Sequence, residues 1–275
     1  MAGLGRKHLK AIHELLFDHK DLVTATATWR EIIAHFELEP GQEGKRLVFD
    51  ARQRQLLREL ASRHFGFDPK APLPTGDRQA YADHGSIDEK LAPQGPDRHH
   101  VLVKGALPGL PPLPPEASLR LPLSSLALDR IARVLVIENL DTFDLWRPGL
   151  GPDGLADALV LYRGHRGLAA GSKRLLQELP ATGQVIVFTD LDPAGLRIAH
   201  TLPRADALLV PGLTEELLPM NNAAHFHRQH QASRYLDRAD LEGWQGLWQE
   251  IKTGQLSIKQ QHMLARSAEL VLVKR

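Results

Sequence analysis

The chain has 275 residues, enough for one large domain or two modest ones around a well-buried core. Hydrophobic residues make up 43% and charged residues 24%, as in an ordinary globular protein, and there is no apolar run long enough to mark a membrane span. A formal net charge of +1 excludes a polycation that coats nucleic acid indiscriminately; contact with DNA would need local basic patches or a partner that supplies the phosphate contacts, and the same balance suits a small-molecule enzyme.

The absence of cysteine excludes disulfides, and residues 1–10 carry positive charge without a following apolar signal core, so a cytoplasmic location is expected. Residues 6–35 read as helical. Leu9, Ile12, Leu15, Leu16 and Phe17 recur at helical spacing, as do Trp29, Ile32, Ile33 and Phe36. The stretch Thr24-Ala-Thr-Ala-Thr28 reads as a helix entry with Thr28 as N-cap. A further helix over Ala51 to His64 is carried by Leu56, Leu57, Leu60 and Ala61. Residues 1–65 are thus predicted as a helical docking arm, a pattern that a winged-helix unit would share.

From Gly66 to Pro96 the periodicity gives way to Pro, Gly, Asp and Lys, the composition of exposed loops. Val101-Leu-Val-Lys104 suits a short strand. Pro108-Gly-Leu-Pro-Pro-Leu-Pro-Pro115 cannot be helix interior and is predicted as a stiff extended connector. The domain boundary is placed near residue 125.

Beyond it strands alternate with helices. Residues 134–138, 158–162, 185–189 and 207–210 are apolar, β-branched runs, separated by helical patterns over Leu168–Leu179 and Ala194–Leu202. Pro193 sits where the first turn of a helix accepts proline. This rhythm predicts an α/β fold, a doubly wound, mostly parallel sheet over residues 126–220. Residues 221–275 are expected to be a helical continuation, with Trp244, Leu247, Trp248 and Ile251 on one face.

Two of these strands end on carboxylates: Val134-Leu-Val-Ile-Glu-Asn139 delivers Glu138, and Val185-Ile-Val-Phe-Thr-Asp-Leu-Asp192 delivers Asp190 and Asp192. Open α/β sheets place their chemistry at the carboxyl ends of strands. Three carboxylates there make an oxygen-donor site suited to Mg²⁺ or Mn²⁺, which neutralise the charge that develops in phosphoryl transfer. Strand alternation sends Asp190 and Asp192 the same way, so the two can grip one ion while Glu138 binds another or acts as base. The plainer alternative has Asp192 capping the helix after Pro193, which leaves Asp190 and Glu138 without a reason.

Other features are weaker. His225-Phe-His227-Arg-Gln-His230 has histidines two apart, which do not share a helix face, so zinc is disfavoured. His165, after the second strand, suits either a phosphate contact or a loop hydrogen bond. Arg78-Gln-Ala-Tyr81 offers the one tyrosine ahead of the α/β region. Trp244 and Trp248 read as a packing pair rather than a base-stacking platform.

Ile137-Glu138-Asn139 followed by Asp190-Leu191-Asp192 resembles a Toprim domain, the metal-binding fold of topoisomerases, DnaG-type primases and several nucleases. Asp190-Leu-Asp-Pro-Ala-Gly195 narrows the resemblance to the topoisomerase VI A subunit and its relatives. Together with Leu128-Asp-Arg-Ile-Ala-Arg-Val134 and Tyr162-Arg-Gly-His165, it is similar to the Toprim nuclease subunit of Wadjet anti-plasmid systems, the JetD or MksG family. The resemblance covers roughly residues 126–215.

It implies a metal-dependent DNA endonuclease acting on plasmid DNA, usually as a homodimer, downstream of an SMC-like motor and kleisin complex. Glu138, Asp190 and Asp192 become the catalytic metal ligands, with Asn139, Gly164, His165 and Gly195 in support. It also implies a winged-helix, CAP-like region, assigned to residues 66–125. The alternatives are a type IIB topoisomerase-like transesterase using Tyr81 and a non-catalytic docking subunit.

Overall fold

The computed structural model describes residues 4–275 except 77, 87, 89, 90, 93–95, 112 and 166. Pro112 of the expected connector and Arg166 of the turn after the second strand therefore lie outside the described residues. The chain forms two compact units, residues 1–96 and 97–275.

The first unit begins with α1 (Arg6–Phe17), β1 (Leu22–Thr24) and α2 (Ala27–Phe36). It continues with the hairpin β2 (Gly41–Glu43) and β3 (Arg46–Val48), then α3 (Ala51–Phe65) and α4 (Arg78–Asp83). The predicted helix over 6–35 is thus interrupted by a strand, and α2 is capped by the Thr26 side chain rather than Thr28, which falls inside the helix. The three strands form a small antiparallel sheet in the order β1-β3-β2, so residues 1–65 are not helical throughout. Helix α3 is delimited by local chemistry: Asp50 and Gln53 form a reciprocal capping box, and Gly66 ends the helix in the left-handed region. Leu9, Ile12, Leu15, Trp29, Ile32, Phe49, Leu57 and Phe65 form its core.

The second unit is a mixed α/β layer structure around a seven-stranded sheet. It contains β4 (His100–Gly105), β5 (Leu119–Pro122), β6 (Arg133–Ile137), α5 (Leu140–Leu145) and β7 (Leu159–Tyr162). Then come α6 (Gly167–Glu178), β8 (Gln184–Phe188), α7 (Pro193–Thr201) and β9 (Ala207–Pro211). The remainder is α8 (Ala223–Arg228), α9 (His230–Leu236), α10 (Gln245–Thr253), α11 (Gln260–Ala265) and β10 (Leu270–Lys274).

The strand order is β10-β9-β8-β6-β7-β4-β5. The four predicted strands are β6 to β9, paired in parallel as β7-β6-β8-β9. Val134 to Ile137 and Val185 to Phe188 are fully buried, because a central parallel strand is covered on both faces. Parallel pairing stops there. β4 and β5 join antiparallel on one side, and β10 pairs antiparallel with β9 on the other.

Two expectations change accordingly. The division falls between Pro96 and Asp97 rather than near residue 125, because β4 and β5, expected in the preceding region, complete the large sheet. The tail 221–275 is not helical throughout but ends in an edge strand. Trp244 and Trp248 are fully buried, their indole nitrogens donating to the Val273 carbonyl and the Asp237 carboxylate, which makes them packing residues. No helix among the described residues is long and apolar enough to cross a membrane.

Candidate functional site

The chain runs from β6 to β7 on one side and, through β8, to β9 on the other, so the sheet changes direction between β6 and β8. Such a switch point opens a crevice at the carboxyl ends of the strands. Glu138 directly follows β6, and Asp190 and Asp192 follow β8. The predicted carboxylates therefore flank the crevice from adjacent strands, and the Glu138 backbone N–H donates to the Phe188 carbonyl at 3.1 Å.

Each carboxylate has its own environment. Asp192 is almost fully buried and caps α7, with Oδ1 accepting from the Gly195 N–H at 2.8 Å; the plainer reading of this residue is therefore correct as far as one oxygen goes. Its Oδ2 accepts from Gln229 Nε2 at 2.8 Å and Ser257 Oγ at 3.1 Å. Asp190 Oδ1 accepts from the Gln260 N–H at 2.9 Å. Glu138 differs. Its Oε2 is buried without a hydrogen-bond partner, and Arg163, whose Nε is likewise buried and unpartnered, approaches Oε1 only to 3.9 Å. Burial, and next the charge of Asp190, push the Glu138 pKa up to about 7.

A cation stands among these groups. Lys259 Nζ lies 2.7 Å from Asp190 Oδ2 and 3.3 Å from Asp192 Oδ2. Burial opposes its charge, but the hydrogen bond and field of the aspartates hold its pKa above the ordinary lysine value. Lys259 is placed by backbone pairing: Leu191 and Ile258 exchange N–H···O bonds of 2.9 and 3.2 Å as an isolated antiparallel bridge. Leu191 and Ile258 turn into the core, while their neighbours Asp190, Asp192, Ser257 and Lys259 meet in the crevice. Gln260, fully buried, ties the two strand ends together. Its amide accepts from the Asn139 N–H at 3.1 Å and donates to the Phe188 carbonyl at 2.9 Å.

The remaining predicted residues have mainly structural tasks. Asn139 caps α5 by accepting from the Thr142 N–H. Gly195 is required because a Cβ would stand 2.1 Å from the Asp190 carbonyl oxygen, and Gly164, at φ +86°, because a Cβ would stand 2.4 Å from the Ala169 nitrogen. These close approaches are within the chain. His165 is exposed on the turn after β7. Tyr81 is buried in the core of the first unit, edge-on to Phe67, and burial raises its hydroxyl pKa, the opposite of what a nucleophile needs.

Sequence reasoning missed Lys259, Gln260, Ser257 and Gln229, and it weighed His225 only as a zinc ligand. His225 Nδ1 lies 2.7 Å from Ser257 Oγ and 3.7 Å from Asp192 Oδ2. The signal was the two-residue alternation in Leu256-Ser-Ile-Lys-Gln260, a strand pattern inside a region read as helical. Among the described residues, no three His, Asp or Glu side chains stand in the mutual arrangement of a metal site. The donor set nonetheless fits a hard cation: all three carboxylates offer oxygen, Glu138 Oε2 is orphaned, and the aspartates already share one cationic group.

Residues 97–272 match the family described as Domain of unknown function (DUF7281), and the chain belongs to that family. The match coincides closely with the second compact unit, residues 97–275, so the switch-point crevice lies inside the family domain. No curated protein matches the chain.

Proposed function

We propose that this chain is a metal-dependent DNA endonuclease with a Toprim catalytic domain. The observation that carries the reading is the delivery of Glu138 and the Asp190/Asp192 pair to opposite lips of the β6–β8 switch point. Held by Glu138, Asp190 and Asp192, Mg²⁺ or Mn²⁺ would supply charge neutralisation at the attacked phosphate and an acidified water. Glu138 Oε2, buried and free of partners, is open to the cation or to the proton of the attacking water. Lys259, now 2.7 Å from Asp190 Oδ2, would supply a cationic donor for a phosphate oxygen at the same strand ends. Gln260 and Gln229 keep the two strand ends and the α7 cap in register.

The resemblance to Wadjet nuclease subunits extends this reading to plasmid DNA as substrate, a homodimer as the active form, and an SMC-like motor and kleisin complex as the partner that delivers DNA. A plasmid-nicking assay with Mg²⁺, Mn²⁺ and EDTA tests it. Cleavage should require the metal and vanish in Asp190→Ala and Glu138→Ala; metal-independent cleavage, or wild-type rates in either variant, overturns the reading.

A second reading is favoured by one feature. Lys259 already neutralises both aspartates, which suits a non-catalytic docking domain with a permanent internal counter-ion. Binding of DNA without any cleavage in either metal would select it.

A further inference from the structure

We propose that the exposed face of α9, continued by the residue segment just after it, is a track for the phosphate backbone of the DNA strand that enters the crevice. This inference rests on the reading of the carboxylates as a phosphodiester site and adds the surface that would hold the substrate there.

The track starts at the site. Gln229, the residue before α9, donates to Asp192 and accepts from the Ala194 N–H at 2.7 Å, which pins the start of α9 to the start of α7. Six residues on, the Tyr235 hydroxyl reaches His200 Nδ1 at 2.8 Å near the end of α7, and His200 Nε2 lies 3.1 Å from the Asp240 carbonyl. The two helices therefore run side by side in the same direction, away from the carboxylates.

Along α9 the exposed side chains are His230, Gln231, Arg234 and Tyr235, with no acid among them. His230 and Arg234 are four residues apart on one helix face, and Arg238 follows after another four, just past the helix end. Arg228 is exposed on the other side of Gln229. Arg234 and Arg238 line an open concavity with His200, Gln231, Tyr235, Arg275 and one acid, Asp240. Among the described residues, neither Arg234 nor Arg238 has an ion-pair partner. Two neighbouring acids are paired with other cations, Asp237 with Lys252 at 2.7 Å and Glu242 with Arg275 at 3.4 Å, while Asp240 accepts from the Glu242 N–H and keeps its charge at the rim.

Residues 228–242 hold three arginines and three acids, but with Asp237 and Glu242 paired to Lys252 and Arg275, only Asp240 opposes Arg228, Arg234 and Arg238, a local positive excess in a chain whose net charge is +1. The spacing suits a polyanion. Four helical residues rise about 6 Å, close to the through-space separation of successive phosphates along one strand, about 6–7 Å. Exposed guanidinium groups on a rigid helix pair give the sequence-independent contact that positions a backbone without reading bases. The track thus answers the need set by composition: near-neutral overall charge requires a concentrated patch wherever DNA is to be held.

The test is fluorescence anisotropy of a labelled DNA duplex with the full chain in EDTA, so that binding is read apart from cleavage and metal. Wild type should bind, and over roughly 50–200 mM salt Arg234→Ala/Arg238→Ala should weaken binding about tenfold and make the log–log salt slope shallower by about 1.8, the loss of two phosphate contacts. Arg174→Ala, which removes an exposed arginine paired with Glu178, serves as a control and should leave both quantities unchanged. Failure of cleavage with these binding results intact removes the endonuclease reading and leaves the track standing. No binding by wild type at about 50 mM salt, an unchanged slope in the double variant, an equal effect of Arg174→Ala, or equal affinity for polyglutamate each overturns the track.

Discussion

Lys259 Nζ donates to Asp190 Oδ2 at 2.7 Å across sixty-nine residues of sequence, so a side chain from the end of the domain neutralises a carboxylate from its central strand. An ammonium group and a divalent cation compete for the same oxygens. Lys259→Met should therefore lower the melting temperature in EDTA, where Asp190 and Asp192 are left to repel each other, and enlarge the rise produced by Mg²⁺. Differential scanning fluorimetry across a Mg²⁺ series measures both. An identical Mg²⁺ response in variant and wild type would show that the lysine and the metal do not share a site.

Glu138 should make stability fall with rising pH. Its folded-state pKa is raised to about 7 from an ordinary 4.5, so between those values the folded state binds the extra proton and is favoured. That advantage is present at acid pH and is lost as pH rises through 7. The full shift corresponds to a few kcal/mol, on the order of 3, as an upper bound. Urea unfolding at pH 5.5 and 8 should reveal the slope, and Glu138→Gln should flatten it. A Glu138→Gln variant with the same slope as wild type would assign the effect to other groups.

Gly195→Ala should destabilise the second unit by at least about 1–3 kcal/mol, since the added methyl meets the Asp190 carbonyl oxygen at 2.1 Å and either the strand end or α7 must move. Chemical denaturation measures the loss. A variant as stable as wild type would mean that the turn relaxes freely.

Tyr81→Phe should leave DNA cleavage unchanged, because the side chain is enclosed in the core of the first unit. Tyr81→Ala should instead cost about 3–5 kcal/mol of that unit's stability, the range for emptying an aromatic site. A covalent protein–DNA adduct formed by wild type and lost in Tyr81→Phe would restore the transesterase alternative.

Strands β6 to β9 were legible because a parallel strand buried on both faces writes itself as a continuous apolar run, as in Val134 to Ile137 and Val185 to Phe188. Glu138, Asp190 and Asp192 were legible because a charge that ends such a run has few structural reasons to be there. Strand β4 was legible as Val101 to Lys104, but the edge strands β5 and β10 were not. Leu119-Arg-Leu-Pro122 is short and half exposed, and Leu270 to Lys274 follows a helical stretch, so neither announces which strand it will pair with. Lys259 was invisible for a similar reason. Its task depends on Ile258 pairing with Leu191, a contact decided by tertiary packing rather than local pattern. Thr28 lost the capping role to Thr26 because the chain enters α2 two residues earlier than the hydrophobic period suggests.

The bridge between Leu191 and Ile258 also sets an order of events in the life of the molecule. Glu138, Asp190 and Asp192 are translated well before Ser257, Lys259 and Gln260, and the later segment supplies the counter-charge and the amide that ties β6 to β8. A nascent chain that has made the parallel strands but not this segment lacks the counter-charge on Asp190 and Asp192 and the Gln260 tie between the strand ends. A chain cut off before Ser257 would hold the parallel strands β6 to β9 without β10 and without the Lys259 counter-charge.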